Sequence, residues 1–118
     1  DVKFVANSVV TSRKLLKTRP DLVNKFTIAL LKGWRASLDP ANANKTISML
    51  QKFDKDSTIK TLREQLDITR KLIQPDASVP IGTIDVEAWK QTESIMLKQK
   101  QISSPVMVEK HLKQIPQY

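Results

Sequence analysis

The sequence predicts a mainly α-helical chain, one N-terminal strand followed by five or six helices. Three observations predict it. Only two glycines, Gly33 and Gly82, stand among 118 residues, whereas all-β and doubly wound folds draw on turn glycines throughout. Apolar residues recur at three- and four-residue spacing along most of the chain, the period of a half-buried helix. Between these runs stand serines, aspartates and Asp-Pro or Arg-Pro pairs, which start helices or interrupt them. With 40% apolar and 27% charged residues, a packed core is expected rather than disorder.

Residues 2–11 are rich in valine and other β-branched residues and read as the one strand. Ser12 caps a short helical turn, Arg13 to Lys17, which Thr18-Arg19-Pro20 interrupts because the residue before a proline avoids helical angles. Pro20 and Asp21 suit the first turn of a long helix. Its stripe is Leu22, Phe26, Leu30, Trp34 and Leu38, widened by Val23 and Leu31, with Trp34 expected in the core. Gly33 sits inside this helix, where a close helix contact is the expected reason for it.

Asp39-Pro40 opens a third helix with Ala43, Ile47, Leu50 and Phe53 on its buried side. After a polar break, Ser57 caps a fourth, carrying Ile59, Leu62, Leu66, Thr69 and Ile73 inward. Residues 74–84 hold two prolines and a glycine and form a loop, with a short extended piece at 79–84. Asp85 caps a fifth helix with Val86, Trp89, Thr92 and Met96 inward, and Ser104-Pro105 starts a last short one bearing Val108, Leu112 and Ile115. Residues 1–118 thus read as a single helical fragment, 1–12 strand and 13–118 helices.

Twenty basic against twelve acidic residues give a net charge of +8. The basic residues are spread over every segment, without a run of five or six, and aromatics are 5%. That distribution describes a solvated basic surface better than a nucleic-acid interface. The absence of cysteine excludes disulfides and thiolate chemistry within the chain. No apolar run approaches the length of a membrane helix.

A search for catalytic groupings returns structural explanations. His111 has no carboxylate or thiol at ligand spacing and reads as a surface residue. The acid pairs Asp54/Asp56 and Asp85/Glu87 fall at helix starts, where negative charge is favourable. Asp54-Lys55-Asp56-Ser57 lacks the central glycine and closing glutamate of a calcium loop. No phosphate-binding loop, dinucleotide fingerprint or nucleophile elbow occurs. No enzyme activity, metal or cofactor is therefore expected.

The order of the motifs carries a resemblance. Val9-Val10-Thr11-Ser12, then Arg19-Pro20-Asp21-Leu22-Val23, Lys32-Gly33-Trp34-Arg35-Ala36, Asp39-Pro40 and Ile81-Gly82-Thr83-Ile84-Asp85, with Trp89 and Thr92, span nearly the whole chain. The series resembles the last third of the solute-binding proteins of ABC importers for nitrate, sulfonate, taurine and thiamine pyrimidine precursors. That family places a glycine where this chain has Lys100-Gln101. The resemblance implies the C-terminal segment of a two-lobed α/β periplasmic-binding-protein fold of type II, in a periplasmic or other extracytoplasmic setting. It also implies a small-molecule solute and membrane permease subunits as partners of a full-length parent, no nucleic acid, and a fragment inactive alone. Only Asn7 and Ser8, near the cleft of such a fold, are implied as ligand-binding residues. The alternatives are a basic helical nucleic-acid-binding module and a helical protein-interaction module. A lone strand also lacks backbone partners, so self-association through residues 2–11 is expected.

Overall fold

The computed structural model describes residues 2–116 and is mainly helical, with five α-helices and no strand among those residues. The helices are α1 (Arg13–Thr18), α2 (Pro20–Leu38), α3 (Ala43–Leu50), α4 (Ile59–Ile73) and α5 (Val86–Lys98), with single 3-10 turns at Pro40–Asn42 and Val108–His111. Most helix starts follow the expected capping chemistry. The Ser12 hydroxyl accepts from Leu15 N–H, Asp39 from Ala41 N–H and Asp85 from Ala88 N–H, satisfying donors that lack a helical partner. The cap of α4 is Thr58, which accepts from Thr61 N–H, instead of Ser57. Ser57 N–H is taken by Asp54, which also receives Asp56 N–H, so Asp54 builds the turn before the helix.

The described residues divide into two compact units, 24–82 and the pair of segments 2–23 with 83–116. In residues 24–82 the core is Leu31 and Leu38 of α2, Ile47 of α3, Leu62 and Leu66 of α4, and Ile81 from the loop. Ala43 and Ile73 pack against it. The last carbonyl of α2 is closed by Arg70, whose Nε donates to Leu38 O at 2.6 Å while Nη1 donates to Asp67 at 2.9 Å. Ile81 reaches the core because Gly82, at φ +90, turns the chain against Leu31: a Cβ there would lie 2.5 Å from Leu31 Cδ2.

Several expectations are corrected. The stripe of α2 is buried only in part: Leu31 and Leu38 lie in the core as expected, while Leu22, Phe26 and Trp34 are exposed. The core takes Leu31 and Leu38, which join Ile81 and the α4 leucines, and leaves Phe26 and Trp34 outside it. No close contact explains Gly33, since an added Cβ would meet nothing within 4 Å. Phe53 and Ile59 are likewise exposed. The extended piece at 79–84 is not a strand, and the final helix is one 3-10 turn beginning at Val108.

The N-terminal strand, residues 1–12, is also corrected, and the type II fold inferred with it is not established by the helical architecture. Residues 2–11 pair with no strand. High β-propensity describes how a side chain suits a pleated surface, and the described residues supply no second strand to make one. Lys3 N–H instead donates to Gln91 Oε1 and Val5 N–H to Thr92 Oγ1 (2.9 Å), both on α5. Thr92 is buried and satisfied on both sides, since its hydroxyl also donates to Ala88 O at 2.8 Å.

Candidate functional site

The exposed row of α2 forms one wall of a groove of about 580 Å³ within residues 24–82. On that wall stand Leu30 and Trp34, with Gly33 and Ser37 beside them. Leu50 of α3 lies across the groove, and Leu62 and Leu66 of α4 line it with core leucines. Gln65 and Thr69 add the polar groups of α4. The local sequence explains the shape. Trp34 stands outside the core and is 38% exposed, and the glycine before it leaves open space where a side chain would stand.

The groove thus combines a largely apolar lining with a few polar groups, the pattern of a small-molecule site, and its volume is within the usual range. Thr46, buried on one side, spends its hydroxyl on Ser37 O at 3.1 Å. The side chains of Ser37, Gln65 and Thr69 make no hydrogen bond to another described residue. Gln65 offers a carbonyl acceptor and an amide donor together. A shallower recess of about 380 Å³ in the same unit brings Arg35 and Arg70 toward Gln74 and Pro80.

Among the described residues, no group of three or more His, Asp or Glu is placed to hold a metal ion. No described helix is long and apolar enough to cross a membrane. Asn7 and Ser8 lie in the N-terminal segment 2–11, outside any helix or strand; both are exposed and neither makes a hydrogen bond to a described residue. His111 is exposed, with Arg13 Nη2 3.0 Å from its Nδ1 and Val106 O 3.2 Å from its Nε2. Imidazole with the proton on Nε2 satisfies both contacts, donating to Val106 and accepting from Arg13.

The shifted carboxylates belong to the scaffold. Glu93 accepts from three successive backbone N–H groups, those of Val106, Met107 and Val108, at 2.6–3.0 Å. These bonds, with Val108 foremost, hold its carboxyl below the usual glutamate value. They fix the 3-10 turn after Met107, which takes φ 54. Asp85 is lowered first by Ala88 N–H and then by Lys3, which reaches it at 3.0 Å. Asp54 and Asp76 are lowered by the Ser57 and Ser78 bonds of their own turns. Sequence reasoning explained Asp54 and Asp85 through helix capping but had no signal for Glu93, whose partners lie 13 to 15 residues away.

No family model matches the chain, and no solved structure matches it. The chain is similar to the riboflavin-binding protein RibY of Chloroflexus aurantiacus, with 26% identity over 111 residues. The match covers 90% of this chain and 31% of the relative, so the chain spans about a third of the relative's length. This finding overturns the expectation of a truncated ABC-importer solute-binding protein for nitrate, sulfonate, taurine or a thiamine pyrimidine precursor. The motif order that suggested it consists largely of helix starts and stops, which report where helices begin and carry no information about a ligand. What the chain is similar to is a protein that binds riboflavin.

Proposed function

We propose that this chain is a flavin-binding segment, and that the groove beside Trp34 receives the flavin's ring system. The observation that carries the reading is the similarity, over 90% of the chain, to a riboflavin-binding protein. The groove supports it chemically. A flavin is a flat tricyclic ring with an apolar benzenoid end and a pyrimidine edge that both donates and accepts hydrogen bonds. The indole face of Trp34 offers a stacking surface. Gln65 offers the matching donor and acceptor, while Ser37 and Thr69 offer hydroxyls to the sugar-alcohol chain.

The affinity follows from size. A ligand of riboflavin's size, about 27 non-hydrogen atoms at about 0.3 kcal/mol per atom, gains about 8 kcal/mol at most, a Kd near 1 μM. The open groove leaves part of the ring in water, so a Kd of about 10–100 μM is expected for the chain alone. All the lining residues fall within residues 24–82. Two substitutions test the site. Trp34→Ala removes the stacking surface, and Gly33→Leu puts a side chain into space that is open in the structure. Each is expected to weaken riboflavin binding at least tenfold with the helical circular dichroism unchanged. Riboflavin binding unaffected by both would place the ligand elsewhere and refute the groove.

A further inference from the structure

The groove beside Trp34 is lined without a single charged or titratable side chain. Its polar groups are the neutral Ser37, Thr46, Gln65 and Thr69 and the indole N–H of Trp34. Since 27% of the chain's residues are charged, this neutrality belongs to the groove and not to the composition. Charged residues adjoin the lining in sequence but are engaged elsewhere. Arg63, next to Leu62, donates to Asn44 Oδ1 at 3.0 Å. Arg70, next to Thr69, donates to Leu38 O and to Asp67, and with Arg35 it lines the separate, shallower recess.

Resting on the flavin reading above, we propose that the groove selects the oxidised, uncharged flavin and binds the reduced flavin much more weakly. Reduction is carried out by an external two-electron reductant and not by the chain. Two electrons and one proton enter the oxidised ring; the proton goes to N5, and in mildly alkaline solution the negative charge rests at N1 on the pyrimidine edge. Moving that charge from water against an apolar wall with no cation is unfavourable. The groove sets only neutral donors against it, the Gln65 amide and the hydroxyls of Ser37 and Thr69. Such donors bind an anion less strongly than a lysine or arginine would.

Stacking acts in the same direction. The face of the Trp34 indole is electron-rich. It matches the flat, electron-poor oxidised ring better than the electron-rich reduced ring, which folds along its N5–N10 line. Because the groove is open on one side, the anion keeps part of its hydration, and a ratio of at least tenfold in Kd is expected. Tenfold corresponds to a potential about 30 mV lower for the bound flavin than for the free one.

Equilibrium dialysis of riboflavin against the full chain at about pH 8 tests the selectivity. It is run once in air and once under nitrogen with dithionite, and the flavin in each chamber is counted after reoxidation. A Kd at least tenfold higher for reduced riboflavin is the expected result. Equal values for the two forms would overturn the selectivity and leave the flavin reading standing, whereas binding of neither form would overturn both. At about pH 5.5 the reduced ring is protonated at N1 and neutral, and the ratio should narrow to about threefold or less. A ratio unchanged by that pH would overturn the role assigned to charge. Thr69→Lys places an ammonium group on the groove wall and is expected to narrow the ratio in the same way at about pH 8, by tightening the reduced form. A ratio unaltered in this variant, with oxidised riboflavin still bound, would also overturn it.

Discussion

Gly82→Ala tests the contact that joins the loop to the helical core. Gly82 sits at φ +90, a conformation that costs an L-residue about 1–2 kcal/mol. The new methyl would also lie 2.5 Å from Leu31 Cδ2, and Leu31 is itself buried among Leu38, Leu62, Leu66 and Ile81. Displacing a packed leucine in this way costs about 1–3 kcal/mol. Alanine gives back about 0.4–1 kcal/mol by narrowing the unfolded ensemble. The net expectation is a loss of about 2–3 kcal/mol, read as a lower urea midpoint in far-UV circular dichroism. The two causes separate in a Leu31→Ala background. There the overlap is gone and only the backbone strain remains, so the same substitution should cost about 1 kcal/mol or less. A loss below about 0.5 kcal/mol in the parent chain, or equal losses in both backgrounds, would refute the Gly82–Leu31 contact.

Other perturbations follow from the same geometry. Gly33→Ala should stabilise α2 by about 0.5–1 kcal/mol in urea melts, because the methyl enters open space and alanine is the better helix former. Lys100→Gly should stabilise by about 0.5–1 kcal/mol, measured the same way, because Lys100 holds φ 56 just beyond α5. Acid should destabilise the fold. Glu93, Asp54, Asp76 and Asp85 have folded-state values below their ordinary 4.5 and 3.8, so their contribution is complete above those values. It is lost as pH falls through the lowered values. Melts across pH 2–6 should show stability declining below about pH 4.5, and Glu93→Gln should flatten part of that decline.

Local chemistry was legible in the sequence wherever it was decided by near neighbours. Ser12 and Asp85 cap the helices they were expected to cap, because a cap needs only its own side chain and the next three residues, whereas Asp39 caps a 3-10 turn, Pro40–Asn42, that precedes the third helix. Choices made by the tertiary fold were not legible. The apolar stripe of α2 is wider than the core can take, and the partner elements bury its Leu31 and Leu38 while leaving Phe26 and Trp34 exposed. Ile81 is a core residue in a proline-rich loop, where no period marks it. The valine-rich start looked like a strand because propensity does not report whether a second strand exists.

The end of α5 left a trace in the sequence. The position where a glycine was expected, Lys100, is where the chain turns left-handed. There Gln101 N–H bonds Met96 O at 2.9 Å and Lys100 N–H bonds Leu97 O at 3.0 Å, the double closure of a Schellman helix end. The candidate site was half visible. Gly33 and Trp34 stood out together, but the expected reason was tight packing, whereas the structure leaves the space beside them open.

The most direct test of the account is a titration of dilute riboflavin with the full chain, followed by the flavin's own fluorescence, up to about 1 mM protein. A saturable change that fits one site with a Kd of about 10–100 μM is the predicted result. Fluorescence unchanged by the addition of 1 mM protein would contradict the assignment of flavin binding to this chain.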